Sequence, residues 1–142
     1  MKARLIILSV LALCLGISAK AQDDRIITLD RLPQNAKEFL AKHFPDKTPM
    51  VLKEDWDDFE VMYTNGEKVE FLKNGEWKKV DCRTAAVPDV LVPEQIKTQV
   101  QAHYPGAVIT KIEKDRRGWE VKLNNGLDID FSPKFVITDI DD

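Results

Sequence analysis

Cysteine, serine and histidine are scarce in this chain, and their scarcity removes most of the chemistry a small protein could perform. Of two cysteines, Cys14 falls in a leader-like N-terminal segment, which leaves Cys82 alone and excludes an internal disulfide. Beyond residue 21 the one serine is Ser132, set in a predicted turn before Pro133. A G-x-S-x-G nucleophile elbow therefore has no place to sit. The two histidines stand in His43-Phe44-Pro45 and His103-Tyr104-Pro105, near the ends of two predicted helices. A cation there is favoured by the helix dipole by about 0.3–1 kcal/mol, so a structural role accounts for both. Beyond residue 21 the five glycines stand singly at predicted turns, never as G-x-G-x-x-G or a P-loop, which excludes nucleotide cradles. H-E-x-x-H and C-x-x-C are absent, so no transition-metal centre or resident cofactor is expected. Carboxylates are plentiful, but none is singled out by an apolar neighbour that would raise its pKa for acid–base work. The chain is expected not to be an enzyme.

What is present begins with a leader. Lys2 and Arg4 precede an apolar stretch, Leu5 to Ile17, and Ala19-Lys20-Ala21 has the A-x-A form read by signal peptidase. Residues 1–21 are expected to be a signal peptide cleaved after Ala21, which makes the mature protein periplasmic or secreted. The stretch is shorter than the ~20 apolar residues needed to span a bilayer, so no membrane insertion is expected after cleavage. Lipidation at Cys14 is disfavoured by Leu13, where a small residue is wanted. Cleavage removes Lys2, Arg4 and Lys20 and no acid, so 21 Lys+Arg against 24 Asp+Glu becomes 18 against 24, a net charge of −6. That balance argues against nucleic acid as a partner.

The chain repeats at an offset of sixty. Pro33, Lys37, His43, Pro45, Asp55, Glu60, Val61, Asn65, Gly66 and Phe71 recur as Pro93, Lys97, His103, Pro105, Asp115, Glu120, Val121, Asn125, Gly126 and Phe131. A duplication follows. Each unit opens with proline and a helical stripe (Ala36, Phe39, Leu40, Phe44; then Ile96, Val100, Tyr104) that a second proline stops. The period then changes to two. Phe59, Val61 and Tyr63 alternate with Glu60 and Met62, and Val69 and Phe71 with Lys68, Glu70 and Leu72, around Asn65-Gly66. Asn74-Gly75 turns the chain into Trp77–Val80. In the second unit Trp119, Val121 and Leu123 meet Leu127, Ile129 and Phe131 across Asn125-Gly126, and Ser132-Pro133-Lys134 turns into Phe135–Ile140. Less distinct first strands are expected at Met50–Asp55 and Val108–Lys114, and Ile26–Leu29 as a short leading strand. The expected fold is α+β: two tandem helix-plus-four-stranded antiparallel meander repeats, over residues 22–84 and 85–142.

The pattern L-P-x₁₀-F-P at Leu32–Pro45, followed by F-E-V-x-Y-x-N-G-x-x-V-E-F-x-x-N-G-E-W at Phe59–Trp77, resembles the PepSY-like family of exported bacterial proteins. Their fold is similar to that of the β-lactamase inhibitor protein. The resemblance implies one continuous eight-stranded sheet with helices on one face and the other face available to a partner, and it suggests inhibition or modulation of an envelope enzyme. The second unit lacks the N-G-x-W end, so the halves need not bind alike.

The surface candidates follow from strand phase. Phe59, Tyr63, Phe71 and Trp119 fall on the inward set. Trp56 stands in an acidic turn, and Met62 and Leu72 fall outward among Glu60, Lys68, Glu70 and Lys78. Exposed apolar residues mixed with charge suit a protein- or peptide-binding surface, although singly exposed ones are ordinary. Glu120, Lys122, Asp128 and Asp130 extend the same face in the second unit. The expected function is a binding module for a protein or peptide partner, with a small-ligand or cation-binding envelope protein as the alternative, acting through Asp128 and Asp130. Asp55, Asp57 and Asp58 cluster around Trp56, but no glycine or twelfth-position glutamate completes a calcium loop.

Overall fold

Pro33 and Pro93 set the entry of two ten-residue helices, α1 (Gln34–His43) and α2 (Glu94–His103). Each proline carbonyl accepts an N–H from four residues on, Lys37 or Lys97, at 3.1 Å. Ala36 and Leu40, and Ile96 and Val100, are the buried residues, one turn apart on a single stripe. The computed structural model describes residues 24–142, so the expected leader and its cleavage site lie outside the described residues.

The strands are β1 (Arg25–Ile27), β2 (Pro49–Glu54), β3 (Asp58–Tyr63), β4 (Lys68–Leu72), β5 (Trp77–Asp81), β6 (Ile109–Asp115), β7 (Gly118–Leu123), β8 (Asp128–Phe131) and β9 (Ile137–Asp141). They form one antiparallel sheet in which spatial order equals chain order. The class is α+β. Each helix is followed by four strands, and matching elements begin sixty residues apart, as at Gln34 and Glu94 or Lys68 and Asp128. Tight turns follow from Asn-Gly pairs: Gly66, Gly75 and Gly126 hold φ of 86°, 85° and 92°, which a side chain would oppose. The two four-stranded sets meet at β5–β6 through Lys79↔Glu113, Val80↔Ile112 and Asp81↔Lys111.

Two expectations are corrected. The sheet has nine strands, not eight, because Arg25, Ile26 and Ile27 pair with Glu54, Lys53 and Leu52 and cover the outer edge of β2. That leading strand stops before Leu29, which begins a one-turn 3-10 helix, Leu29–Arg31, carrying Leu32 into the core. The last strand begins at Ile137 and not at Phe135. Phe135, at φ 62°, donates its N–H to the Ser132 carbonyl (2.9 Å), and the Ser132 N–H donates to the Val136 carbonyl (2.8 Å), so the turn takes in two more residues.

The core lies between the helices and one sheet face. Its centre is a cross-strand row, Val61, Val69, Val80, Ile112, Val121 and Ile129, each 0–1% exposed. Phe39 of α1 meets Phe71 edge-on at 5.4 Å and Phe44 stacks on Tyr63 at 5.3 Å. From α2, Gln99 donates Nε2–H to the Phe135 carbonyl at 2.7 Å. Burying each aliphatic side chain in this row is worth about 1.5–3 kcal/mol.

Candidate functional site: the open sheet face

Because neighbouring residues on a strand point to opposite sides, burying the apolar set fixes what faces outward. Both helices pack on the apolar side, and no described element covers the other. Across that open side the pairing aligns one continuous row: Lys53, Glu60, Glu70, Lys79, Glu113, Glu120, Asp130 and Asp139, one residue from each of β2 to β9. A second row runs beside it through Met62, Lys68, Asp81, Lys111, Lys122, Asp128 and Asp141. Eight of the expected site residues therefore share one surface: Glu60, Glu70, Glu120 and Asp130 in the first row, Met62, Lys68, Lys122 and Asp128 in the second.

Leu72 and Trp56 are placed differently. Leu72, 39% exposed, pairs with Asp58 at one end of the β3–β4 hairpin, whereas Met62 pairs with Lys68 at the other. Trp56, 86% exposed, stands at the β2–β3 turn and not on the sheet. The three apolar candidates do not form one contiguous patch. Lys53, Lys79, Glu113 and Asp139 were missed from sequence, since they join the site only through pairing register. The repeat offset relates Lys53 to Glu113 and Lys79 to Asp139, and that signal was available.

Charge is unevenly met along the face. Lys111 Nζ reaches Glu120 at 3.3 Å, Lys122 Nζ reaches Asp128 at 3.6 Å, and Lys78 pairs with Asp58. Burial raises the Glu70 carboxyl above the usual carboxylate range, with Lys79 and Lys78 pulling it back. Burial raises Asp130 too, and there Glu120, Asp139, Asp128 and Asp141 push in the same direction. Asp128 Oδ1 is buried with no hydrogen-bond partner among the described residues. Across β6 to β9 the face holds a groove of about 370 Å³, lined by Glu113, Asp115, Arg117, Glu120, Asp130 and Thr138 among others.

The acidic turn forms a separate feature. Asp55 Oδ1 accepts the N–H groups of Asp57 (2.9 Å) and Asp58 (2.8 Å), and carboxylate oxygens of Asp55, Asp57 and Asp58 lie within 4.8 Å of one another. Burial opposes ionisation of Asp55, but the N–H groups of Asp58 and Asp57 outweigh it and bring its carboxyl down to about 2. The calcium-loop spacing fails here, yet the side-chain-capped turn brings the three acids together.

On the helix side, Trp119 is half-buried and not fully core. It lies beside Trp77 (6.2 Å) and Phe135 (6.0 Å), with Lys114 Nζ 4.1 Å from the Trp77 ring. Cys82 is buried, and burial pushes its thiol up to about 11, the reverse of an activated nucleophile.

Residues 57–139 match the sequence model of the family described as "Putative beta-lactamase-inhibitor-like, PepSY-like". The chain belongs to this PepSY-like family. Among solved structures, a "putative periplasmic protein" of the DUF2874 family from Bacteroides vulgatus is 45% identical, with a TM-score of 0.80 over 86% of this chain and 99% of its own. A "putative calcium-regulated periplasmic protein" from Bacteroides thetaiotaomicron is 40% identical, with a TM-score of 0.80 over 86% of this chain and 99% of its own. A second Bacteroides vulgatus protein, of unknown function, is 31% identical with a TM-score of 0.79 over 84% and 99%. No curated protein matches the PepSY-like chain. The descriptions of these PepSY-like relatives name no catalytic activity, and they place the relatives in the periplasm.

Proposed function

We propose that this PepSY-like protein is a non-catalytic binding module of the bacterial envelope that presents its open sheet face to a protein partner. The observation that carries the reading is the asymmetry of the sheet: two helices cover one side, and the other displays ordered charged rows, with Met62 in one of them and Leu72 exposed at the far end of the same hairpin. The buried, high-pKa Cys82 and the scarcity of serine beyond residue 21, where Ser132 stands alone, support a role without catalysis. The periplasmic descriptions of the relatives and the expected leader support an envelope location. The likeness to β-lactamase-inhibitor-like proteins supports modulation of an enzyme as the task. We also read the two helix-plus-four-strand sets, 22–84 and 85–142, as copies of one duplicated unit.

The test is affinity capture from an envelope extract with the native protein and with Trp56→Ala, Met62→Ala and Leu72→Ala variants of unchanged melting temperature. A hot-spot contact is worth ~2 kcal/mol, so loss of one should weaken the captured partner more than tenfold. Capture indifferent to every change on the open face, but abolished by changes on the helix side, would reverse the reading.

A second reading rests on the acidic turn. Three carboxylates within 4.8 Å, with Asp55 held ionised, lie close enough to share a cation, and one 40%-identical relative is described as calcium-regulated; both support this reading. Asp128 and Asp130 offer a second acidic place on the face. Calcium at about a hundredfold above Kd would stabilise the fold by about 2.7 kcal/mol. A melting shift with CaCl2 that disappears in Asp57→Asn supports the turn; one that survives there and disappears in Asp130→Asn moves the site to the face.

A further inference from the structure

The two halves of the open face differ in one specific respect. In the first four-stranded set the central row reads Lys53, Glu60, Glu70, Lys79, so the directly opposed pair Glu60↔Glu70 is flanked by a lysine on each side. At the matching positions sixty residues on, the row reads Glu113, Glu120, Asp130, Asp139. Both lysines have become acids, and the formal charge of the row changes from zero to −4. Like charges directly opposite on neighbouring strands destabilise a sheet. Lys111 relieves Glu120, but Glu113, Asp130 and Asp139 have no ion-pair partner within 4 Å among the described residues. Arg117, the one cation lining the adjoining groove among the described residues, lies 4.0 Å from Asp115. The neighbouring Asp128 adds a buried carboxylate oxygen with no donor.

The shape of this acidic track selects its ligand. Calcium needs six to eight oxygens converging at about 2.3–2.6 Å on one point. Among the described residues the one group of three acids within 4.8 Å is Asp55–Asp57–Asp58, so the carboxylates of the track do not converge. With strands ~4.8 Å apart, four acids in register extend over roughly 15 Å. A linear partner with several positive charges matches that length. The groove of about 370 Å³ beside the track gives room for a polypeptide backbone as well as its cationic tips. We infer that the second half of the sheet face docks a Lys/Arg-rich segment of the partner protein, an inference that rests on the open face being the binding surface.

The experiment uses a fluorescein-labelled decapeptide of alternating Lys and Ala, its Glu-Ala counterpart, spermine and CaCl2, followed by fluorescence anisotropy and thermal melts. It is run at ~10 mM and ~150 mM ionic strength, where charges act over about 30 Å and about 8 Å. The lysine peptide should bind and the glutamate peptide should not. The Glu113→Lys/Asp139→Lys double variant, which restores the first half's pattern, should weaken binding at least tenfold while melting no lower than the native protein. Glu38→Lys/Glu94→Lys removes the same charge from exposed helix positions and should leave binding intact. Equal affinity in native protein and Glu113→Lys/Asp139→Lys overturns the inference. So does spermine binding with no added affinity for the peptide, which assigns the track to a small polyamine, or a CaCl2 melting shift confined to the native track. If the envelope partner is lost with Met62→Ala or Leu72→Ala but kept in Glu113→Lys/Asp139→Lys, the cationic segment alone is refuted. If no face variant affects it, both readings fail.

Discussion

Phe71 and Leu72 are consecutive residues of β4 with opposite surroundings, and comparing their loss tests the orientation of the whole sheet. Phe71 is 0% exposed and meets Phe39 of α1 edge-on at 5.4 Å; Leu72 is 39% exposed on the uncovered side. Phe71→Ala removes a ring from an enclosed site and leaves a cavity, which costs about 3–5 kcal/mol. For a chain of this size, 1 kcal/mol corresponds to roughly 3–5 °C in Tm, so the fall should be about 10–20 °C. Leu72→Ala opens no enclosed void and gives up part of a burial worth at most about 1.5–3 kcal/mol, so its cost should be near 1 kcal/mol and its fall below about 5 °C. Total stabilities of about 5–15 kcal/mol leave both variants folded enough to measure. Differential scanning calorimetry on the pair settles the matter. A larger fall for Leu72→Ala than for Phe71→Ala would mean that β4 is slipped by one residue, which exchanges the two faces and dissolves the acidic row with them.

Three further outcomes are expected. Cys82 should resist iodoacetamide at pH 8 in the native protein and react once denaturant is added, read by intact mass, because burial pushes its thiol up to about 11. Asp130→Asn should raise the melting temperature at pH 7, with the gain vanishing toward pH 3. The folded carboxyl is raised by burial and by Glu120 and Asp139, so its charged form is a penalty above that raised pKa and is absent below the unfolded value. Gly118→Ala should destabilise far more than Gly126→Ala in denaturant titrations. At Gly118, φ 132°, a Cβ would fall on the Phe131 carbonyl oxygen, whereas at Gly126 it meets open space and only the positive φ opposes it.

Local signals made most of the fold legible. Asn-Gly pairs, single prolines and the change from period 3.6 to period 2 located both helices and all nine strands within two residues. Strand phase put Phe59, Tyr63 and Phe71 in the core. Trp119 was over-assigned to it because alternation reports which side a residue faces, not whether a helix covers that stretch. β1 was misjudged in extent, since three residues hold too little pattern to compete with the turn that buries Leu32. The site was legible in membership and not in alignment. Glu60, Glu70, Glu120 and Asp130 were found by phase. Their continuity with Lys53, Lys79, Glu113 and Asp139 depends on the β5–β6 junction, which α2 separates in sequence. Asp55, Asp57 and Asp58 stood out as a cluster, but calcium-loop spacing rejected them, because a side-chain-capped turn, not a loop of fixed length, draws their carboxylates together.

Strand order that equals chain order has a consequence for how the molecule begins and ends its growth. A chain delivered from its N-terminus, by a ribosome or through a membrane pore, always brings the next strand beside the edge just completed. No strand waits for a partner made much later, which keeps the entropy of closure low at each addition. The same arrangement leaves a free edge at every stage, and among the described residues β9 does not pair back onto β1 to close the sheet. At that last edge stands β9, Ile137-Thr138-Asp139-Ile140-Asp141, with its final four residues exposed. Its two aspartates oppose a further strand from another copy by repulsion. Charge, not closure, guards this edge, and replacing Asp139 and Asp141 with valine would leave it open to edge-to-edge assembly.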